Sequence, residues 1–239
     1  MAETKHQNVP LRFFDQEPLD LARALLGKVL RHRYTHPELG SIWLSALIIE
    51  TEAYEMAEKG SHASQGFTQK RAALFMPPGT IYMYYARGRD SLNFSAKGTG
   101  NGILIKSGYP IVDATSPLSS LKVMQSLNPS RSGIRPRHRL CKGQTLLCQS
   151  LNLKVKEWDQ RLPVDAFKLS DTGYRVKRII QCRRLGIPAG RDEHLPYRFI
   201  DYDYAEHCTS NPLTRRHWKI NQDYRIIEPG QPPTPVVRQ

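Results

Sequence analysis

The chain has 239 residues, of which 35 are Lys or Arg and 22 are Asp or Glu, for a net charge of +13. It holds no run of about 18 apolar residues, and residues 1–10 lack the apolar stretch of a secretory leader; the expectation is a soluble intracellular protein with no membrane contact, cytoplasmic or nucleoid-associated if bacterial. No internal repeat or long linker divides it, so one domain is expected over residues 11–228, between a short tail at 1–10 and a flexible tail at 229–239.

The excess of cations is not one arm. Arg12, Arg23, Lys28, Arg31 and Arg33 come early, residues 131–139 are densely basic, and residues 177–184 form a third group. Such spacing suits a folded face that attracts a phosphate backbone. The four cysteines, Cys141, Cys148, Cys182 and Cys208, include no Cys-x-x-Cys pair. They read as buried thiols, with no disulfide framework and no metal.

In chain order, residues 47–54 predict a strand, because β-branched and aromatic residues run there without Gly or Pro. Side chains two apart share a face, which puts Glu50, Glu52 and Tyr54 on one side and Ile49, Thr51 and Ala53 on the packed side. Two readings fit that pattern. One is a solvated strand face with two exposed glutamates. The other is a carboxylate fixed beside an aromatic ring in a wall that excludes water, as a general base requires.

Met76-Pro77-Pro78-Gly79-Thr80 predicts a turn, and residues 81–85 and 91–96 two strands. Between them lies the charged turn at residues 86–90, giving a hairpin with Arg87 and Arg89 at its tip. Tyr82 and Tyr84 share a face of it. Residues 102–106 read as a buried strand that ends in Lys106. Residues 114–127 carry Leu118, Leu121, Met124 and Leu127 at helical spacing, starting near Ser116-Pro117. Residues 140–151 predict a second helix, 160–170 an irregular or partly extended segment, and 176–181 a strand. Helices and strands mixed without regular alternation predict an α+β fold.

Several of these stretches, taken together, resemble the alkyladenine, or 3-methyladenine, DNA glycosylases. The likeness rests on Glu50-Thr51-Glu52-Ala53-Tyr54, on Ser61-His62, on Met76 to Tyr84 with its Pro-Gly-Thr turn, and on Asn93 at the end of the hairpin. It extends to Phe13-Phe14-Asp15-Gln16 and the apolar stretch after it, to Leu140-Cys141-Lys142-Gly143, and weakly to Arg184-Leu185-Gly186-Ile187 and Pro196-Tyr197-Arg198-Phe199. The resemblance implies a single α+β domain around a curved, mainly antiparallel sheet with a hairpin inserted into DNA. Its function would be to hydrolyse the N-glycosidic bond of alkylated or deaminated purines of the 3-methyladenine and hypoxanthine type, in base excision repair. The purine has to be flipped out of the duplex, because its sugar C1′ atom is inaccessible in the stack.

The same resemblance implies the residue roles. Glu52 would activate water, with Glu50 as its structural neighbour. Tyr54 would stack on one face of the purine and His62 and Tyr84 on the other, with the His62 amide at the purine edge. Asn93 would bar the guanine amino group, and Tyr82 fits either a supporting or a contacting place. It implies a monofunctional enzyme that needs no cofactor and acts as a monomer, with damaged double-stranded DNA as its partner.

 A water nucleophile of this kind would leave an abasic site in an uncut strand, with no cofactor and no metal taking part.

Two departures from the family pattern stand out. The hairpin is one residue shorter between Tyr84 and Asn93, and Arg87-Gly88 replaces the Tyr-Gly whose tyrosine fills the gap left by the flipped base. Either Arg87 or Tyr85 could take that place. Lys106 falls where the family has a pocket arginine, keeping the charge without the bidentate geometry. Residues 143–146 also lack the Pro and Lys common there. Two other function classes therefore stay open: a catalytically weak or inactive nucleic-acid-binding module that retains the fold, and an unrelated small-molecule hydrolase using Glu52 as base.

Overall fold

The computed structural model describes residues 7–215 and 217–231. Its strands are β1 (Gln7–Asn8), β2 (Val29–His36), β3 (Gly40–Tyr54), β4 (Ile81–Ala86), β5 (Arg89–Ser95), β6 (Gly102–Pro110), β7 (Phe167–Asp171), β8 (Ile179–Cys182), β9 (Arg198–Asp201) and β10 (Tyr224–Ile227). The α-helices are α1 (Pro18–Leu25), α2 (Leu118–Leu127), α3 (Gln144–Ser150) and α4 (Val155–Trp158). All ten strands join one antiparallel sheet that does not close into a barrel, in the order β1-β7-β2-β3-β6-β5-β4, with β9 bridging β3 to β8 and β10 beyond β8. This is the expected α+β architecture in a single domain. Residues 1–6 and 232–239, parts of the two expected tails, lie outside the described residues, while Gln7 and Asn8 pair with β7.

The long strand β3 organises the molecule. Its first half pairs with β2 on one edge, and β9 takes over that edge at Glu50, Thr51 and Glu52. Strand β6 covers the other edge from Ala46 to Tyr54. The two glutamates therefore sit inside the sheet, and both are fully buried. The reading of an exposed, solvated strand face is excluded.

A phase change in β3 explains how carboxylates come to lie there. Before it, Leu44, Ala46 and Ile48 face the main core beneath α1, α2 and α3, and Leu47 and Ile49 face a smaller cluster with Ile180, Ile200 and Cys208. After it, Ala53 faces the main core, and the Thr51 hydroxyl donates to the Ala22 carbonyl of α1. The register slips between Ile48 and Glu50 on β3, and again on β6, where Ser107 opposes Glu50 but Ile105 opposes Thr51. A one-residue bulge exchanges the faces of everything that follows. Without it, the even positions would continue inward and carry Glu50 and Glu52 into the apolar core. On β6 the bulged residue is Lys106, so consecutive side chains, Lys106 and Ser107, both reach the carboxylate pair, which a regular strand forbids.

Helix α2 begins directly after Ser116-Pro117, where the sequence predicts its start, whereas α3 begins four residues later than the expected Leu140. Asp113 Oδ1 accepts from the backbone N–H groups of Thr115 and Ser116 at 2.9 and 2.8 Å, holding that segment in a side-chain turn until Pro117 admits α2. Gly143, at φ 109°, separates a short 3₁₀ turn at Arg137–Arg139 from α3. Two arginines of the basic groups are also internal: Arg31 pairs with Asp113 at 2.6 Å, and Arg184 pairs with Glu58. The four cysteines are buried free thiols, and burial pushes Cys141 and Cys182 up to about 12. No helix among the described residues is long and apolar enough to cross a membrane.

Candidate active site

The β4–β5 hairpin supplies one wall. Directly opposed residues of two antiparallel strands share a face; Tyr82 opposes Asn93 and Tyr84 opposes Ser91, so Tyr82, Tyr84 and Asn93 look the same way. The Asn93 amide donates to the Tyr82 carbonyl at 3.1 Å. Only Arg87 and Gly88 form the loop, at φ 51° and 77°, both left-handed as a type I′ turn demands. An arginine holds that conformation at a cost of about 1 kcal/mol. The hairpin is anchored along its length, near the tip where Asp90 accepts from the Val155 N–H and mid-strand where Asp159 accepts from the Met83 N–H, each at 2.9 Å.

His62 begins a 3₁₀ turn capped by Ser61, whose hydroxyl accepts from the Ala63 N–H at 3.2 Å. Its Nδ1 meets the Tyr82 hydroxyl at 2.9 Å, and its ring lies edge-on to Tyr84 with centroids 4.6 Å apart. Tyr82 therefore supports His62 and lines the same cavity. Burial, and then the charges of Arg71 and Arg191, hold the imidazole below its ordinary value, so the ring is neutral at neutral pH.

On the far side, Glu52 carries three donors. The Tyr54 hydroxyl donates to Oε2 at 2.9 Å, the Leu185 N–H to Oε1 at 3.3 Å, and Lys106 Nζ lies 3.4 Å from each oxygen. Burial first, and then the adjacent Glu52, push the Tyr54 phenol well above its usual range, so it remains a donor. Behind Tyr54, the Arg184 guanidinium sits 4.4 Å from the ring centroid, is paired with Glu58, and donates to the Ala53 carbonyl at 2.8 Å.

Glu50 belongs to a second, closed network. Arg198 Nε and Nη2 approach Oε1 at 2.7 and 2.6 Å, and Thr209 donates to it from Oγ1 at 2.6 Å. The Ser107 hydroxyl and the Thr209 N–H donate to Oε2 at 2.5 and 3.0 Å. Burial alone would raise the Glu50 pKa, but Arg198 and these hydrogen bonds outweigh it and hold the carboxyl below its ordinary value.

These parts surround a cavity of about 960 Å³, at the upper end of small-molecule sites. Tyr54, His62, Tyr84 and Asn93 line it, as do Arg87, Arg89 and Lys106. Glu52 lies immediately behind that lining and touches the cavity through Tyr54, Leu185 and Lys106. Tyr85 projects from the opposite face of β4, half-exposed, and does not line it. Residues without an assigned role in the sequence also take part: Leu185, Arg184 with Glu58, Arg191, and Thr209. Segments 184–187 and 196–199 did carry a signal, as weak family motifs, whereas nothing marked Thr209.

A sequence profile of the methylpurine-DNA glycosylase family matches residues 12–205. A protein of Pseudomonas aeruginosa strain LESB58 is 57% identical over 222 residues, covering 92% of this chain and 90% of its own. One of Pseudomonas savastanoi pv. phaseolicola is 57% identical over 224 residues, covering 93% and 98%. One of Methanocella arvoryzae is 31% identical over 208 residues, covering 84% and 95%. All three carry a provisional name as 3-methyladenine DNA glycosylases. With a match of this extent, and a buried carboxylate behind an aromatic-lined cavity, the chain belongs to the methylpurine-DNA glycosylase family and is a DNA N-glycosylase, a hydrolase acting on DNA.

Proposed function

We propose that this enzyme flips an alkylated or deaminated purine out of duplex DNA into the cavity and hydrolyses its glycosidic bond with a water activated by Glu52. The observation that carries the reading is the fully buried Glu52 carboxylate, fixed by three donors behind an aromatic wall. In the reaction the water oxygen bonds to C1′ as the C1′–N9 bond breaks, the water proton passes to Glu52, and the bonding electrons leave with the purine. A purine that is already cationic departs neutral; hypoxanthine must gain a proton. The immediate products are the free base and an abasic sugar in an intact strand.

In this reading Tyr54 stacks on one face of the base and His62 and Tyr84 on the other. A neutral His62 adds no repulsion against a cationic purine, and electron-rich rings attract one. Duplexes carrying hypoxanthine, ethenoadenine or a methylated purine test the proposal through the appearance of alkali-labile sites. Tight binding with no such sites on any of the three would favour the inactive binding module instead.

Asn93, at the paired edge of the hairpin, excludes guanine by opposing its exocyclic amine. Asn93→Ser is expected to raise guanine release relative to hypoxanthine release by about tenfold, the scale of discrimination one small group gives in a pocket. An unchanged ratio in matched duplexes would remove Asn93 from specificity.

The hairpin enters the minor groove, and Arg87 fills the gap left by the base, using its planar guanidinium for both stacking and charge. Arg87→Ala should slow excision from duplex far more than from a single-stranded lesion, where little stack has to be opened. Arg87→Tyr should recover duplex excision and lower the salt slope by about one, the loss of a single cationic contact. Equal losses on duplex and single strand for Arg87→Ala would make it an ordinary surface charge.

A further inference from the structure

We infer that Arg183 and Arg215, both held against the ring of Trp218, clamp the DNA backbone beside the cavity, each guanidinium taking one phosphate. The inference rests on the preceding reading in one respect, that the damaged strand runs across the cavity mouth. Trp218 packs against the smaller apolar cluster that contains Ile180, Ile200 and Cys208, which fixes its ring. The guanidinium carbons of Arg183 and Arg215 lie over that ring, 4.9 and 5.9 Å from its centroid. A guanidinium stacks on an aromatic face through its charge and its plane, so both groups are held while their N–H edges stay open to an acceptor. Arg215 and Trp218 lie past residue 205, where the match to the family profile ends.

Position and charge identify the ligand. Arg183 comes just before Leu185, and Arg215 donates from Nε to Ser210 Oγ at 2.6 Å, next to Thr209; Leu185 and Thr209 both line the cavity. The Ser210 carbonyl accepts from Arg198 at 3.0 Å, so the anchor of Arg215 continues into the Glu50 network. Arg184 and Arg198 are neutralised by Glu58 and Glu50. Arg183 and Arg215 are instead exposed, and neither forms an ion pair among the described residues. Two unneutralised cations gathered on one ring repel each other, and anions bound beside them offset that repulsion. A phosphate suits the fork of each guanidinium, which can donate two parallel hydrogen bonds to its oxygens. Contacts of this kind position the strand without reading its sequence.

The test is equilibrium binding of the full chain to a duplex carrying a tetrahydrofuran abasic site, which offers no base to release, over a range of salt concentrations. Replacing both residues, Arg183→Gln with Arg215→Gln, should lower the slope of log affinity against log salt by about 1.8, and each replacement alone by about 0.9. Between about 50 and 200 mM salt the parent should then lose about tenfold more affinity than the double variant. Lys122→Gln removes an exposed cation from α2, which packs against the main core, and should leave the slope unchanged. A parental slope in the double variant overturns the proposal. So does an equal fall for Lys122→Gln, which would make the effect one of net charge. Melting curves accompany each measurement, and the single variants carry the test where the double variant does not fold. Because nothing is excised from this duplex, a lowered slope without base release from hypoxanthine duplexes sinks only the glycosylase reading. Base release with an unchanged slope sinks only the clamp.

Discussion

Glu52→Gln is expected to slow single-turnover purine release by about 10²–10⁴-fold, the range that general-base assistance supplies. The amide has nearly the same shape and still accepts from the Tyr54 hydroxyl, but it cannot take a proton from water. Its second group is a donor, and the other end of the carboxylate faces two donors, the Leu185 N–H and Lys106. One mismatched contact of that kind should cost about 1–3 kcal/mol of stability. The measurement is therefore the rate at saturating enzyme on a hypoxanthine duplex, with binding and melting followed in parallel. DNA affinity should change little, because Glu52 does not line the cavity. A mutant that binds, remains folded at the assay temperature and excises at the parental rate would take Glu52 out of the mechanism.

The largest stability effect should come from the neighbouring carboxylate. Arg198 and Glu50 are both fully buried and joined to each other, so removing one leaves the other charge inside the protein without its counterion. Arg198→Met should cost about 3–5 kcal/mol, the scale measured when a buried pair loses one member. For a domain of this size that is a fall in melting temperature of roughly 6–20 °C. The effect must also depend on pH. The Glu50 pKa is depressed below the ordinary 4.5, so its contribution is complete above about that pH and disappears as the pH falls through the folded-state value. The difference between parent and variant should therefore be constant near neutrality and narrow in acid. A variant that melts within a degree of the parent at pH 7 would show that the pair contributes nothing net.

What the sequence disclosed was what local chemistry encodes. The Pro-Pro-Gly turn, the β-rich runs around Arg87-Gly88 and the alternation of Glu50, Glu52 and Tyr54 each follow from a few neighbouring residues, and the hairpin and the carboxylate strand formed as expected. The bulge was hidden, because register depends on the partner strand. So were the residues that hold the two carboxylates: Leu185 lies 133 residues from Glu52, and Thr209 lies 159 residues from Glu50, separations over which no local pattern extends. Thr209 also falls beyond the segment that matches the family profile. The charge count misled in a different way, since Arg31, Arg184 and Arg198 are cations of the interior rather than of a DNA-facing surface.

The paired offsets of β3 and β6 make the candidate active site a matter of counting. Side-chain substitutions near Ile49 alter packing by degrees, and deleting Ile49 itself would only heal the bulge and leave Glu50 alternating with Ile48, whereas deleting Thr51 would turn Glu52 and Tyr54 toward the apolar side together. Insertion or loss of two residues would preserve the parity and shift only the spacing. Lineages of this protein should therefore tolerate drift in what the strand is made of far more readily than an odd change in its length beyond the bulge. A library of single-residue deletions through β3 would reveal this as a much greater loss of excision for deletion of Thr51 than for deletion of Ile49.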